Sequence, residues 1–230
     1  MLLAGSSFFQ WSYVTGQWGQ ILGDLVQHIE LSLIALGIGT VISLPLGVLA
    51  WRYRLVRVPV FGLASTLYII PSLALFAILG GITGYVPPRS WVTAEFALVG
   101  YTLLILIWNT VSGLDAVPVE SKEAAVALGF SRRAELWRVD LPLALPYIFA
   151  GLRVALATVI GLVTVTALIG LGGLGQQITY GFNIAYNTPI IVGLVLSIAL
   201  AAVADLVLVG VERLLVPWSR ATRRARASAR

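Results

Sequence analysis

The chain has 230 residues, 59% hydrophobic and 11% charged, with a net charge of +5. Soluble domains carry about a quarter of their residues as charges, so this chain cannot cover a soluble surface and belongs to the membrane class. It has no cysteine, and His28 is its single histidine; this excludes disulfides, thiolate metal centres, cysteine nucleophiles and a metal site built on histidine alone.

The N-terminal stretch MLLAGSSFFQWSYVTGQWGQ has no basic n-region and no sustained apolar h-region, so a cleaved signal peptide is not expected. Phe8, Phe9, Trp11, Tyr13 and Trp18 are amphipathic aromatics of the lipid–water boundary. They predict an interfacial helix over residues 6–26, and residues 1–26 are read as an N-terminal interfacial segment. Residues 31–51 hold no charge, enough for one span of about 20 residues. Residues 58–88 predict a second span and a loop at Pro87-Pro88, and residues 96–114 a third. The uncharged run 154–204 is too long for one helix and is interrupted by GLGGLGQQITYGFNIAYNTP, residues 170–189. Its Gly, Asn and Pro residues disfavour a continuous helix, so two spans are expected near 147–169 and 189–211. The expected fold class is all-α integral membrane: five transmembrane helices, an N-terminal interfacial helix and a charged helical loop.

Orientation follows from Lys and Arg. With five spans, every one of the fifteen except Arg89 falls on one side of the membrane. That side is predicted to be cytoplasmic, with the N-terminus outside and the C-terminus inside. Four or six spans would scatter the charges. Residues 27–216 form the expected transmembrane domain. Residues 217–230, ending SRATRRARASAR, form a basic cytoplasmic tail that suits anionic lipid head groups rather than nucleic acid.

The charged block lies between spans three and four, within residues 115–146, and contains SKEAAVALGFSRRAELWRVDLPLALP (121–146). Two short helices are expected. The first, 120–128, follows Pro118 and carries Glu120 and Glu123 where the helix dipole favours carboxylates. Gly129 suits a left-handed cap. Ser131 suits the N-cap of a second helix, 132–139. Pro142 and Pro146 then punctuate the start of span four. Ala124, Ala125, Ala127 and Leu128 give the first helix a small apolar face that another surface can approach closely.

Glu123-Ala124-Ala125, three residues, Gly129, nine residues, Val139, one residue and Leu141-Pro142 together resemble the EAA loop of permease subunits of type I ABC importers, with Val139 in place of the more usual isoleucine. The resemblance extends over about residues 25–215. HIELSLIALGIGTVISLPLGVLA (28–50), IIPSLALFAILG (69–80), LPLALPYIFAGLRVAL (141–156) and ALIGLGGLGQQITYG (167–181) are similar to the branch that imports glycine betaine, choline, carnitine and related osmoprotectants. Branches for methionine or for sulfonates are the alternatives. The resemblance implies that the loop is a coupling helix docking on an ATPase subunit, through Glu120, Glu123, Ala124, Ala125, Gly129, Leu141 and Pro142. It implies two permease chains, identical or paralogous, two ATPase subunits holding ATP-Mg, and a separate extracytoplasmic substrate-binding protein, in the plasma or inner membrane. This chain has no P-loop, so no cofactor and no catalytic site are expected on it.

GLGGLG (170–175) satisfies G-x-G-x-x-G, yet no acidic residue follows before Asp205. A dinucleotide site needs one about 20 residues on, so that reading is rejected. Gly172 and Gly173 are read instead as allowing close backbone approach, or a gate, at the outer end of span four. Asp205 lies within span five; a charge inside lipid is a functional candidate, and structural pairing with Arg153 or with a partner chain is the preferred reading. Glu30 and Glu95, near outer span ends, are expected to reach the head groups. Pro71, Ser72, Asn109, Thr164 and Thr166 are nominated for the pathway, Asn109 foremost because an amide in lipid needs a partner. The aromatic cage for a quaternary ammonium is expected in the binding protein. A stand-alone carrier would show internal repeats and ion sites, and an enzyme a nucleophile–base pair or metal cluster; the sequence offers neither.

Overall fold

The structure is a computed structural model that describes residues 8–82 and 90–218. The Pro87-Pro88 loop, Arg89 and the basic tail from residue 219 lie outside the described residues. The helices are α1 (Trp11–Gly16), α2 (Trp18–Arg52), α3 (Arg54–Ile69), α4 (Ser72–Ile82), α5 (Trp91–Asp115), α6 (Val119–Ala127), α7 (Arg132–Glu135), α8 (Leu141–Thr166), α9 (Gly175–Asn183) and α10 (Asn187–Leu215). No strand occurs among the described residues.

Four helical segments are long and apolar enough to cross a membrane: α2, α5, the Arg132–Ile169 run that contains α8, and α10. A fifth crossing exists only if α3 and α4 count as one span, and these two meet at 103°. The break is local chemistry. Pro71 removes an amide and pushes Ile70 out of the helical region, and Ile70 has φ −62° and ψ 126°. Tyr101 donates its hydroxyl to the Ile70 carbonyl, so the break does not leave that group bare.

The interfacial helix expected over 6–26 is corrected by the structure. Residues 18–26 are the first turns of the 35-residue α2, and only the short α1 stands apart. Asp24, in these first turns, and His28, one turn on, are buried against other helices rather than laid on a membrane surface.

α2 and α5 run parallel, with α8 antiparallel against both. Gly39 and Gly47 of α2 face Thr102 and Thr110 of α5, and a Cβ on Gly47 would stand 2.7 Å from the Thr110 Cβ. The two backbones can approach this closely only because no side chain intervenes. Leu31, Ala35, Leu98, Val99, Val159 and Val163 fill the centre of this three-helix core. Leu36, Leu106, Ala155, Leu156 and Ile160 extend it toward α10. Helical hydroxyls return to their own backbone: Thr102 donates to the Val99 carbonyl at 2.8 Å and Thr110 to the Leu106 carbonyl at 2.7 Å. Such pairing is what an environment without water demands.

The second loop helix expected over 132–139, with prolines punctuating the start of span four, is also corrected. α7 passes through one wide π turn, Leu136–Asp140, straight into α8. The Leu141 amide bonds the Leu136 carbonyl. A proline ring clashes with the carbonyl four residues back, and the wide turn relieves that conflict for Pro142.

Candidate functional site

Three regions hold the residues singled out by sequence, and they lie at different heights of the bundle. At the basic end, Pro118 starts α6, with Glu120 in its first turn. α6 ends in a Schellman motif: the Phe130 amide bonds the Ala125 carbonyl at 3.0 Å, and the Gly129 amide bonds the Val126 carbonyl at 2.9 Å. Gly129 has φ +78°, a conformation glycine adopts without a Cβ penalty. The Ser131 hydroxyl accepts the Ala134 amide at 3.3 Å, which caps α7.

This hairpin shows a mixed face to its surroundings. Glu120, Glu123 and Ala124 are exposed, whereas Ala125 is buried beneath them. Val119, Val126, Leu128 and Trp137 are exposed as well, Leu128 by 75% and Trp137 by 70%. Large apolar side chains outside the lipid-spanning core mark an interaction surface. Leu141 packs against Leu114, Ala144 and Ile148 at the base of α8, and Pro142 is half-buried beside it.

The hairpin is tied to the bundle through Lys122. Its ammonium donates to the Leu114 carbonyl near the end of α5, at 3.4 Å, and lies 5.1 Å over the Trp51 ring at the end of α2. Arg57 at the start of α3 lies 3.8 Å from Asp115. Glu135 and Asp140 are buried in the turn leading to α8, with Arg132 at 3.7 Å from Glu135. α6 is thus joined through Lys122 to the ends of α2 and α5.

In the middle of the bundle Arg153 and Asp205 are brought together. Nε donates to Oδ1 at 2.6 Å and Nη2 to Oδ2 at 2.9 Å, a two-pronged pair linking α8 to α10. Asn109 donates to the Ile105 carbonyl at 2.8 Å and packs against Gly151, while half-lining a cavity with Phe61, Tyr68 and Trp108. Thr164 and Thr166 donate to their own helix, at the Gly161 carbonyl (2.6 Å) and the Val163 carbonyl (2.7 Å). Pro71 and Ser72 form the break between α3 and α4. Glu30 is exposed. Glu95 differs from its expectation: both carboxyl oxygens are enclosed and make no hydrogen bond, so it does not reach outward to head groups.

At the end opposite the arginines, the glycine-rich segment is clasped by α2. The Gly173 amide donates to Gln27 Oε1 at 3.2 Å, and the Leu174 amide donates to His28 Nδ1 at 3.2 Å. His28 Nε2 lies 3.0 Å from the Ile160 carbonyl. Because Nδ1 accepts, the proton belongs on Nε2, which donates to Ile160. Gly173 has φ +82°, and a Cβ on Gly172 would overlap Gln27 Oε1 at 1.5 Å. Gln177 of α9 donates to Asp24 at 2.6 Å and accepts from Tyr13 at 2.6 Å. Gln10 and Tyr186 complete the clasp, the Gln10 amide donating to Thr188 at 3.0 Å and the Tyr186 hydroxyl to Gln10 Oε1 at 3.1 Å.

Sequence reasoning singled out Gly172 and Gly173 and missed their partners. The signal was present: Asp24, Gln27, His28 and Ser32 recur at helical spacing, and so share one face of α2.

Comparison with known proteins gives one family and a consistent set of relatives. Residues 39–216 match the family described as "Binding-protein-dependent transport system inner membrane component". The chain is 34% identical, over 212 residues, to the osmoprotectant import permease protein OsmW of Salmonella typhimurium, covering 89% of this chain and 96% of that one. It is 34% identical over 207 residues to the glycine betaine/carnitine/choline transport system permease protein OpuCD of Bacillus subtilis, covering 90% and 89%. Its fold resembles a chain of the inward-facing MetNI methionine ABC transporter, with a TM-score of 0.71 at 21% identity over 85% of this chain and 95% of that one.

Proposed function

The chain belongs to the family of binding-protein-dependent transport system inner membrane components, and on that premise we propose that it carries quaternary-amine osmoprotectants such as glycine betaine, choline or carnitine. It is the permease of an ABC importer, a multi-pass membrane protein, and not the subunit that hydrolyses ATP. The substrate reading is supported by two relatives 34% identical over most of the chain, one named for osmoprotectant import and one for glycine betaine, carnitine and choline transport.

The observation that carries the mechanism is the hairpin at the basic end, with its exposed Glu123, Ala124, Leu128 and Trp137 tethered by Lys122 to α2 and α5. α6 docks on an ATPase subunit, Glu120, Glu123, Ala124 and Leu128 forming the contact. Ala125, Gly129, Leu141 and Pro142 hold the geometry behind it. Closure of two ATPase subunits around ATP-Mg then moves α6, and Lys122 and the π turn pass the movement into the core. The basic end faces the cytoplasm, α3 and α4 count as one broken span, and the chain crosses five times with its N-terminus outside. A second permease chain completes the pathway, a binding protein delivers solute from outside, and the basic tail lies against lipid head groups. The clasped glycine-rich segment is the outer gate, and Pro71 and Ser72 supply its flexible counterpart between α3 and α4.

The test is extraction of the tagged chain in mild detergent, with partners identified by mass spectrometry and solute uptake measured in cells lacking other osmoprotectant importers. A near-stoichiometric P-loop ATPase is expected, lost with Gly129→Asp, and Glu123→Lys is expected to abolish uptake while the complex hydrolyses ATP. A chain that purifies alone refutes the docking. Uptake of methionine or a sulfonate, with none of glycine betaine or choline, refutes the substrate reading.

A further inference from the structure

Two cavities lie end to end in the groove between α3 and α5. One, of about 400 Å³, is walled by Phe61, Tyr68 and Trp108, with Ser65 and Asn109 as its polar groups. The other, of about 700 Å³, lies at the basic end and is lined by Arg52, Arg54 and Arg57 beside Trp51. They share Phe61, Ser65 and Trp108, so together they form one groove with an aromatic end and a cationic end. Phe61, Ser65 and Tyr68 stand four and three residues apart on α3 and hence on one face.

The groups in this groove are available. The Phe61 and Trp108 rings meet edge to face at 5.6 Å, and Trp108 is 60% exposed, so more than half of its surface is uncovered. Arg57 has its guanidinium carbon 6.0 Å over the Phe61 ring. It is ion-paired with Asp115 at 3.8 Å, longer than a hydrogen bond, so its N–H donors remain open to a second carboxylate. Among the described residues, Arg52 and Arg54 have no ion-pair partner.

A trimethylammonium group has no N–H to donate, so hydrogen-bond acceptors cannot hold it and aromatic faces can. A carboxylate is held best by a guanidinium. We propose that this groove is a substrate station inside the permease for zwitterionic trimethylammonium carboxylates of the glycine betaine type. Trp108, shared by both ends of the groove, receives the ammonium, and Arg57 receives the carboxylate. Choline carries a hydroxyl where these solutes carry a carboxylate, so it engages only the aromatic half. The inference rests on the osmoprotectant reading above and adds to it a site and an order of preference.

The test is saturation-transfer NMR on the permease–ATPase complex in lipid nanodiscs without binding protein, reading the N-methyl protons of glycine betaine and of choline at millimolar concentration. The wild type is expected to bind glycine betaine several-fold tighter than choline. Trp108→Leu is expected to weaken both by about fivefold or more. Arg57→Gln is expected to weaken glycine betaine by about tenfold and leave choline unchanged. Trp108→Tyr keeps a ring and is expected to retain most of the signal, which separates loss of the site from loss of the fold. No wild-type signal, an unchanged signal in Trp108→Leu, equal loss of both ligands in Arg57→Gln, or equal loss in Trp108→Tyr and Trp108→Leu would each overturn the station. Uptake of glycine betaine by the intact transporter separates the two claims: uptake without NMR binding overturns the station alone, and absence of uptake overturns the substrate reading beneath it.

Discussion

A charged carboxylate on a membrane helix is costly without a partner, and Asp205 has one in Arg153. The two-pronged geometry makes the pair directional as well as charged. Reversing either charge alone leaves two like charges facing each other between α8 and α10. Arg153→Asp and Asp205→Arg are each expected to reduce the yield of monodisperse complex in size-exclusion chromatography, and the double swap to recover a large part of it. Failure of the swap to recover anything would show that each residue acts separately. This pair was legible in the sequence, because an isolated intramembrane acid demands a base and Arg153 was within reach. Gly129 and Ser131 were legible as caps for a similar reason, since their roles are local. Gln27 and His28 were not. Their partners are amides about 146 residues away, and no local pattern pairs a polar helix face with a distant glycine turn.

Elements show the same division between local and distant causes. α2 and α5 depend on bare glycine at their contact, so Gly47→Ala forces the Thr110 side chain to give way. Overpacking of this kind costs about 1–3 kcal/mol, read as a lowered thermal midpoint of the purified complex. The long helices were legible from uncharged runs, but their ends were not. α2 begins at Trp18, with Asp24 and His28 finding buried partners, whereas the aromatics of residues 6–26 read as an interface. The π turn was hidden because Pro142 and Pro146 read as breakers, whereas one extra residue in the turn lets the helix absorb Pro142. Deleting Trp137, whose side chain points away from the core, would return this turn to α geometry and rotate the hairpin by about 100° relative to α8. Helix content by circular dichroism is expected to stay the same while ATPase stimulation by loaded binding protein disappears. Retained stimulation would mean that the hairpin's azimuth is irrelevant to coupling.

At the scale of the whole molecule, the proposed orientation is open to direct chemistry, because the chain contains no cysteine and any introduced thiol is unique. Ser131→Cys, in the hairpin, is expected to react with a membrane-impermeant maleimide only after cells are opened. Phe182→Cys, exposed near the end of α9, is expected to react in intact cells. The opposite pattern would invert the molecule and with it the placement of the ATPase.

The bend between α3 and α4 also bears on how the protein is made. A helix with its backbone fully paired can leave a translocation channel for lipid as soon as it is synthesised. The broken pair does not pair its backbone alone: the Ile70 carbonyl finds its donor on Tyr101, which is translated 31 residues later. On the five-span proposal the segment is expected to wait until α5 arrives beside it, so that α3, α4 and α5 enter the bilayer together. The ribosome's pace through residues 71–101 thus becomes part of the assembly programme, and a truncated nascent chain ending before Tyr101 would remain crosslinkable to the channel, whereas one extending past α5 would be released.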